Sequence, residues 1–312
     1  MSRIYFLNYH YIINPSNPLQ KDIYGPSLDS FKSQVSELKS KFQVIDPNKI
    51  TEILNSSNNE NFICFTFDDG LKEHATLVRP FLNDLNIKGL FFPCTCIFDD
   101  SIAIPQVIHY SMAILRINPL FKMIMRGITD LNIEKVNMNE FKTLKTKEKI
   151  SEIKNLFKNL LKHADSIRLA DYISNEGIKK YKANIIDDIH LNKDDLIKLS
   201  EDGHIIGNHT HTHPYFNGNI TKNKLIEEIS FSKKIIEKII NKEVLDFAFP
   251  YGIESLYDIL SKDKIKNLGL LRGYTTNHDI NNNETDQLQI SRVSVYAKDN
   301  VQSIIRKLKI NE

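Results

Sequence analysis

The chain has 312 residues, 41% hydrophobic and 26% charged, with a formal net charge of +2. This length and apolar content suit a folded protein with a sizeable core, and the balanced charge excludes a global bias toward nucleic acid or an anionic membrane. Three cysteines, Cys64, Cys94 and Cys96, are too few for a disulfide framework, and a single Cys-x-Cys is a poor zinc signal.

The chain opens with an apolar strand, "RIYFLNYHYI", and a Pro/Asn/Gly-rich loop to about Pro26. The start lacks the basic residues, unbroken apolar core and cleavage site of a secretory signal. No apolar run elsewhere reaches membrane-spanning length, so a cytoplasmic location is expected. "SLDSFKSQVSELKSKFQVI" places Phe31, Val35, Leu38 and Phe42 on one helical face, with Ser27 or Asp29 able to cap its start. "ENFICFTF" is a strand, "HATLVRPFLNDLNI" a helix and "KGLFFPCTCIF" another strand. This alternation is the mark of a parallel α/β sheet or barrel.

From about residue 100 to 190 the texture becomes helical, lysine-rich and poor in strands, which predicts a helical insertion. Within it "TKEKISEIKNLFKNLLKHADS" spaces Ile150, Ile153, Phe157, Leu160 and Leu161 helically among lysines. Such a helix docks on its own protein or, around 147–163, lies on a membrane surface. The βα rhythm resumes with a short helix carrying Leu196 and Leu199, ended by Gly203, and the strand "HIIGNH". A long helix follows from about Thr221, with Leu225, Ile229, Ile236 and Ile240 in one stripe. "VLDFAFPYG", "NLGLLRGYTT" and "LQISRVSV" read as the last strands, with the Asn-rich "HDINNNETD" as a loop.

Two stretches carry chemistry. "FTFDDG" drives a buried strand into two adjacent carboxylates, Asp68 and Asp69. Asp-Gly alone reads as a turn. The sharper reading makes one carboxylate a metal ligand and the other a proton acceptor, and that needs partners. "GNHTHTHP" supplies them: His209, His211 and His213 alternate, facing one side of an extended chain, and a curl before Pro214 would let a pair spaced i, i+4 share a metal. There is no HExxH. Two histidines and one aspartate leave a metal's remaining positions open, as at a catalytic site, and the second aspartate would sit ready to take a proton from water there.

Together "FTFDDG", "LSEDGHIIGNHTHTHP", the long helix and "DFAFPYG" resemble, in that order, the polysaccharide deacetylases of the NodB-homology group, carbohydrate esterase family 4. The resemblance covers about residues 60–100 and 190–295. It implies an α/β fold, a distorted and incomplete (β/α) barrel forming a single catalytic domain over 1–312, with the helical insertion at 100–190 within it. Carried over by position, it implies Asp69, His209 and His213 as metal ligands and Asp68 as catalytic base. His211 falls between the ligands and receives no role. Pro250 and Tyr251 match a loop lining the substrate groove, where the Tyr251 backbone N–H would stabilise the oxyanion. Two positions depart from the pattern. The arginine that orients the catalytic aspartate is replaced by Ala248, with Arg292 the candidate substitute. The late Leu-x-x-His that supplies the general acid is missing, leaving His278, His10, His74 or protonated Asp68 for that task.

The implied reaction is hydrolysis of the N-acetyl group of an N-acetylated sugar, with a surface-polysaccharide precursor inside the cell as the expected substrate. One divalent cation is implied, Zn²⁺ by donor type, with Co, Ni, Mn or Fe tolerating the same donors. Two rival readings remain: a degenerate glycan-binding or scaffold member of the same fold, and a non-haem iron enzyme using a two-histidine, one-carboxylate triad.

Overall fold

A computed structural model describes residues 2–309 apart from 57–58, 135, 137–144, 183, 217–218 and 253–259. The apolar runs at the start become β1 (Arg3–Tyr9) and β3 (Asn61–Asp69), which pair in parallel from Arg3↔Asn61 to Tyr9↔Phe67. Both are buried along nearly their whole length, as expected of parallel strands covered on both faces. β2 (Gln43–Val44) and β4 (Leu90–Pro93) share the other edge of β3, at its beginning and its end. β5 (Ile205–Ile206) continues beyond β4, and β8 (Arg292–Ser294) lies against β1. β6 (Asp246–Ala248) and β7 (Arg272–Tyr274) form a separate parallel pair. Single-residue bridges, Asn208↔Phe247 and Tyr274↔Ile290, link that pair to the larger sheet. The barrel is therefore incomplete as a ladder, with two seams where one residue does the work of a strand.

The strand period of two divides the core. Ile4 and Phe6 of β1 and Phe62 and Cys64 of β3 face inward with Leu90, Phe92, Ala248, Tyr274 and Ile290. Tyr5, Leu7, Tyr9, Ile63, Phe65 and Phe67 face outward against helices. Those helices include α1 (Leu28–Lys41), capped by Ser27, α3 (Arg79–Asp84), and α10 (Lys193–Glu201), capped by Asn192 and followed by Gly203 at φ 85°. α11 (Lys222–Ile240) carries the expected apolar stripe, with Leu225, Ile229 and Ile236 buried and Ile240 partly so. Short α2 (Ile50–Leu54) and α12 (Lys262–Asn267) fill connections, and α13 (Val301–Lys307), unread in the sequence, packs on α1.

Two boundaries differ from expectation. Phe42 does not continue α1; it is extended, at φ −131° and ψ 152°, and leads into β2. The strand beginning near Gly89 stops at Pro93, and Thr95–Asp99 forms a 3₁₀ turn. There the Thr95 and Cys96 N–H groups donate to Thr210 O and His211 O at 3.2 and 3.0 Å, so this backbone serves the histidine segment rather than a ladder.

Within residues 100–190 the described residues are helical: α4 (Ile104–Leu115), α5 (Ile117–Asp130), α6 (Thr146–Asn155), α7 (His163–Ile173), α8 (Lys179–Tyr181) and α9 (Ile185–Ile189). All but α8 share one apolar cluster, which also takes in Tyr11, Leu19 and Leu71. The basic segment's Ile153, Leu156, Phe157 and Leu161 are buried in that cluster, while Ile150 and Leu160 are exposed. Its apolar face is thus occupied by the protein, and nothing in its packing supports the membrane contact considered for 147–163. Among the described residues no helix is long and apolar enough to cross a membrane.

Candidate metal centre and cavity

Because every ladder is parallel, the strands end at one mouth, and there the two sequence motifs meet. Asp68 is in phase with Cys64 and Thr66, so its side chain points inward. Arg292, at the start of β8, meets it with two parallel bonds, Nη1 to Oδ1 at 2.7 Å and Nη2 to Oδ2 at 2.8 Å. The guanidinium also donates to Thr66 Oγ1 at 3.1 Å and Thr275 O at 3.2 Å, and lies over the Phe92 ring. Both partners are almost completely buried. Burial alone would raise the Asp68 pKa, but the Arg292 charge and hydrogen bonds, with His209 nearby, hold it below the ordinary carboxylate value. Arg292, the expected partner of Asp68, therefore makes this contact from β8.

Asp69 would face the opposite way on a regular strand. Instead its φ is 76°, followed by Gly70 at 68°, a left-handed pair that turns the second carboxylate toward the same mouth. Positive φ is uncommon outside glycine, though aspartate tolerates it better than most residues. Asp69 Oδ2 accepts from Gln106 Nε2 of α4 at 2.7 Å. Its Oδ1 is buried without a hydrogen bond and faces His209 Nε2 at 3.4 Å and His213 Nε2 at 3.6 Å, both longer than a good hydrogen bond. Burial opposes ionisation of Asp69, yet its His209 contact and the charges of His10, His213 and His209 hold it well below the usual value.

The curl anticipated around Pro214 is present. Thr210 and His213 have φ of 68° and 58°, strain that for a β-branched threonine must be stored by surrounding contacts. The His213 N–H donates to Thr210 Oγ1 at 3.2 Å, and the Thr210 N–H to Asn208 Oδ1 at 2.8 Å. This bend carries His209 and His213 to one point and turns His211 away, onto Phe231. His209 Nδ1–H donates to Ala248 O at 2.8 Å, which leaves the Nε2 lone pair facing Asp69. Burial depresses the pKa of His209, but Asp68 and Asp69 outweigh it and raise the value; burial and His209 push His213 down to about 3.

The ligating atoms of Asp69, His209 and His213 lie within 4.8 Å of one another, all three residues buried. An unbonded carboxylate oxygen facing two ring nitrogens is a donor set that fits a divalent cation, with hydrogen bonds behind Asp69 and His209 fixing their orientation.

The centre forms the floor of a cavity of about 600 Å³. Tyr251 lines it at φ 61°, its ring edge-on to His213 at 4.6 Å between centroids. Pro250 is buried at the start of the same short turn. Of the histidines considered for the acid, His10 lines the cavity with Asp68. His74 is buried behind it between Phe67 and Phe91, where burial pushes its pKa down to about 4, and its Nε2–H donates to His10 O at 2.9 Å. It props the His10 backbone rather than entering the cavity. His278 does not line the cavity either; its charged neighbours are Lys307, Lys309 and Asp279.

Several site residues escaped the sequence reading. Gln106 and His109, both on α4, bear no motif; His109 lines the cavity and pairs through Nδ1 with Tyr11 Oη at 3.0 Å. Glu228 of α11 accepts the His211 and Thr212 N–H groups at 3.1 and 2.8 Å and the Thr212 hydroxyl at 3.0 Å, beside His163 Nε2 at 3.3 Å. Its signal was present: a carboxylate on the buried side of the helix, beside Ile229.

A family model described as polysaccharide deacetylase matches residues 159–272. That stretch holds the histidine motif and Pro250–Tyr251 but not "FTFDDG". No curated protein sequence matches the chain. Among solved structures, the deacetylase PplD from Streptococcus pyogenes, solved with acetate, superposes with TM-score 0.58 at 14% identity, covering 98% of both chains. IcaB from Ammonifex degensii gives 0.60 at 14% identity over 99% of this chain and 97% of its own. A de-N-acetylase from Aggregatibacter actinomycetemcomitans gives 0.59 at 16%, over 98% and 100%. The chain thus resembles the polysaccharide deacetylases, in sequence over residues 159–272 and in its NodB-type fold along nearly its whole length.

Proposed function

We propose that the protein is a metal-dependent deacetylase that hydrolyses the acetamide of an N-acetylated sugar. The observation that carries this reading is the juxtaposition, on one cavity floor, of Asp69, His209 and His213 with an Arg292-held Asp68. Asp69 and the two imidazoles would hold one divalent cation, whose chemistry when bound is to polarise a carbonyl and lower the pKa of a water. Asp68, ionised through Arg292, accepts the proton of the attacking water as its oxygen bonds to the acetyl carbon. The backbone N–H of Tyr251 donates to the carbonyl oxygen as negative charge develops there. His10, at the cavity wall, gives a proton to the nitrogen as the C–N bond breaks, releasing acetate and the free amine. The parallel α/β fold favours this over an oxygenase triad, whose usual scaffold is all-β.

Metal content measured beside acetate release tests the reading. The unmutated protein is expected to carry close to one equivalent of metal, lost in Asp69→Ala and in His213→Ala. Asp68→Asn should keep the metal and lose turnover by at least about a hundredfold. A protein that takes up no metal on reconstitution would sink the proposal, and metal and sugar binding without turnover would favour a glycan-binding role.

A further inference from the structure

Among the described residues, four histidines line the cavity, His10, His109, His209 and His213, and the proposed reaction leaves His109 without a task. It stands on α4 one turn after Gln106, whose Nε2 donates to Asp69 Oδ2 at 2.7 Å. Residues three apart share a helix face, so the face that supports the metal centre also carries His109 to the cavity. The helical block otherwise contributes Pro105, Ile108 and Phe157, which are apolar, and two lysines, Lys154 and Lys158. Tyr11, the residue after His10, sets the ring in place. Tyr11 Oη lies 3.0 Å from His109 Nδ1, with the two rings edge-on at 5.8 Å between centroids. Tyr11 is 5% exposed and burial keeps it protonated, so its hydroxyl donates to Nδ1 and the imidazole proton lies on Nε2. Burial and the charge of Lys154 push the His109 pKa down to about 4, which leaves the ring neutral near pH 7. It is then the one neutral polar group that the helical block brings to the cavity, and a few such groups in an apolar wall fix a ligand's orientation. A core histidine satisfied by a tyrosine is the ordinary alternative, but His109 is only half-buried and lines the cavity that holds the reacting group.

Resting on the deacetylase reading, we propose that His109 is a substrate-binding residue: its Nε2–H donates to a hydroxyl oxygen of the sugar that carries the acetamide, with Tyr11 as the positioning residue behind it. The helical block then serves sugar recognition as well as the support of Asp69. A neutral donor suits an uncharged hydroxyl, and a site built to hydrogen-bond a hydroxyl discriminates strongly against the sugar that lacks it.

The test uses the full-length, metal-loaded Asp68→Asn protein, so that binding is read without turnover. Calorimetry compares methyl N-acetylglucosaminide with its 3-deoxy, 4-deoxy and 6-deoxy forms. One deoxy sugar is expected to bind about tenfold or more weakly than the parent sugar, and which one it is names the hydroxyl. Adding His109→Ala should reduce that difference to less than about twofold, as for two partners in a double-mutant cycle. His109→Gln extends an amide N–H toward the place of Nε2 and should recover part of the difference. His109→Asn reaches only the place of Nδ1 and should not. A purely structural histidine predicts the reverse, because the asparagine keeps an acceptor for Tyr11. Equal binding of all four sugars, a difference that survives His109→Ala, recovery by Asn but not by Gln, or no binding of any sugar overturns the inference. Acetate release by the unmutated enzyme is read separately. Sugars that bind in the expected pattern but are never hydrolysed would defeat the deacetylase reading and leave the His109 contact standing; hydrolysis with no hydroxyl preference in binding would do the opposite.

Discussion

Asp68 and Arg292 show how a single strand position acquires a chemical state. Strand phase points Asp68 inward, where burial would protonate it, and the guanidinium keeps it ionised. Breaking a buried pair from one side costs roughly 3–5 kcal/mol because the remaining charge is uncompensated. Arg292→Met should therefore lower the unfolding midpoint and move the acid limb of the pH–rate profile upward. The sign follows from the balance of effects: without the guanidinium, burial dominates, Asp68 binds its proton at higher pH, and the activity loss is greatest at low pH. Arg292→Lys should recover charge without the two-pronged geometry and fall between the two. An acid limb unmoved in Arg292→Met would mean that Asp68 is not the titrating base.

The segment from His209 to His213 is held by its neighbours more than by itself. α11 contributes Glu228, Ser232 through a 2.9 Å bond to Thr210 O, and the Ile229 carbonyl that receives Asn208 Nδ2. The turn after β4 contributes the Thr95 and Cys96 N–H groups, so Cys94 and Cys96 are buried supports of the bend and their thiols are pushed up by burial. Glu228→Ala removes the acceptor for two backbone N–H groups beside His213. Metal affinity is expected to fall about 10- to 100-fold, the usual cost of losing an outer support of a metal ligand. Glu228→Gln keeps one carbonyl oxygen and should lose less. Competition with a chelator measures both, and unchanged affinity in Glu228→Ala would show that the bend holds without α11.

The molecule as a whole also carries a cost near the site. Glu73 is buried with Oε1 unpartnered, and burial pushes its pKa up to about 8. In the unfolded chain it loses its proton near about 4.3. Between those values the unfolded state binds fewer protons than the folded state, so this group's contribution makes stability fall as pH rises, levelling off above about 8. Glu73→Gln should be more stable than the parent at pH 8 by at least about 1 kcal/mol, and equally stable near pH 4. Urea midpoints at the two pH values decide; equal midpoints at pH 8 would place the Glu73 carboxylate in contact with water.

Much of the site was legible because its signals are local. A buried strand running into Asp68 and Asp69, the alternation of His209, His211 and His213, and the apolar stripe of α11 are set by neighbours within a few residues. Strands β5 to β8 were harder to delimit, since two or three residues are too few to display a period. The partnership of Asp68 with Arg292 joins residues 224 positions apart, and Gln106 reaches Asp69 from a helix without a motif. The lysines at 154 and 158 read as a surface helix until packing buried that helix's apolar side and brought them to the cavity. Backbone period and residue chemistry act along the chain and can be read there; which charge neutralises which, and which side chains share a cavity, depends on distances through space that exist only after the strands and helices have packed.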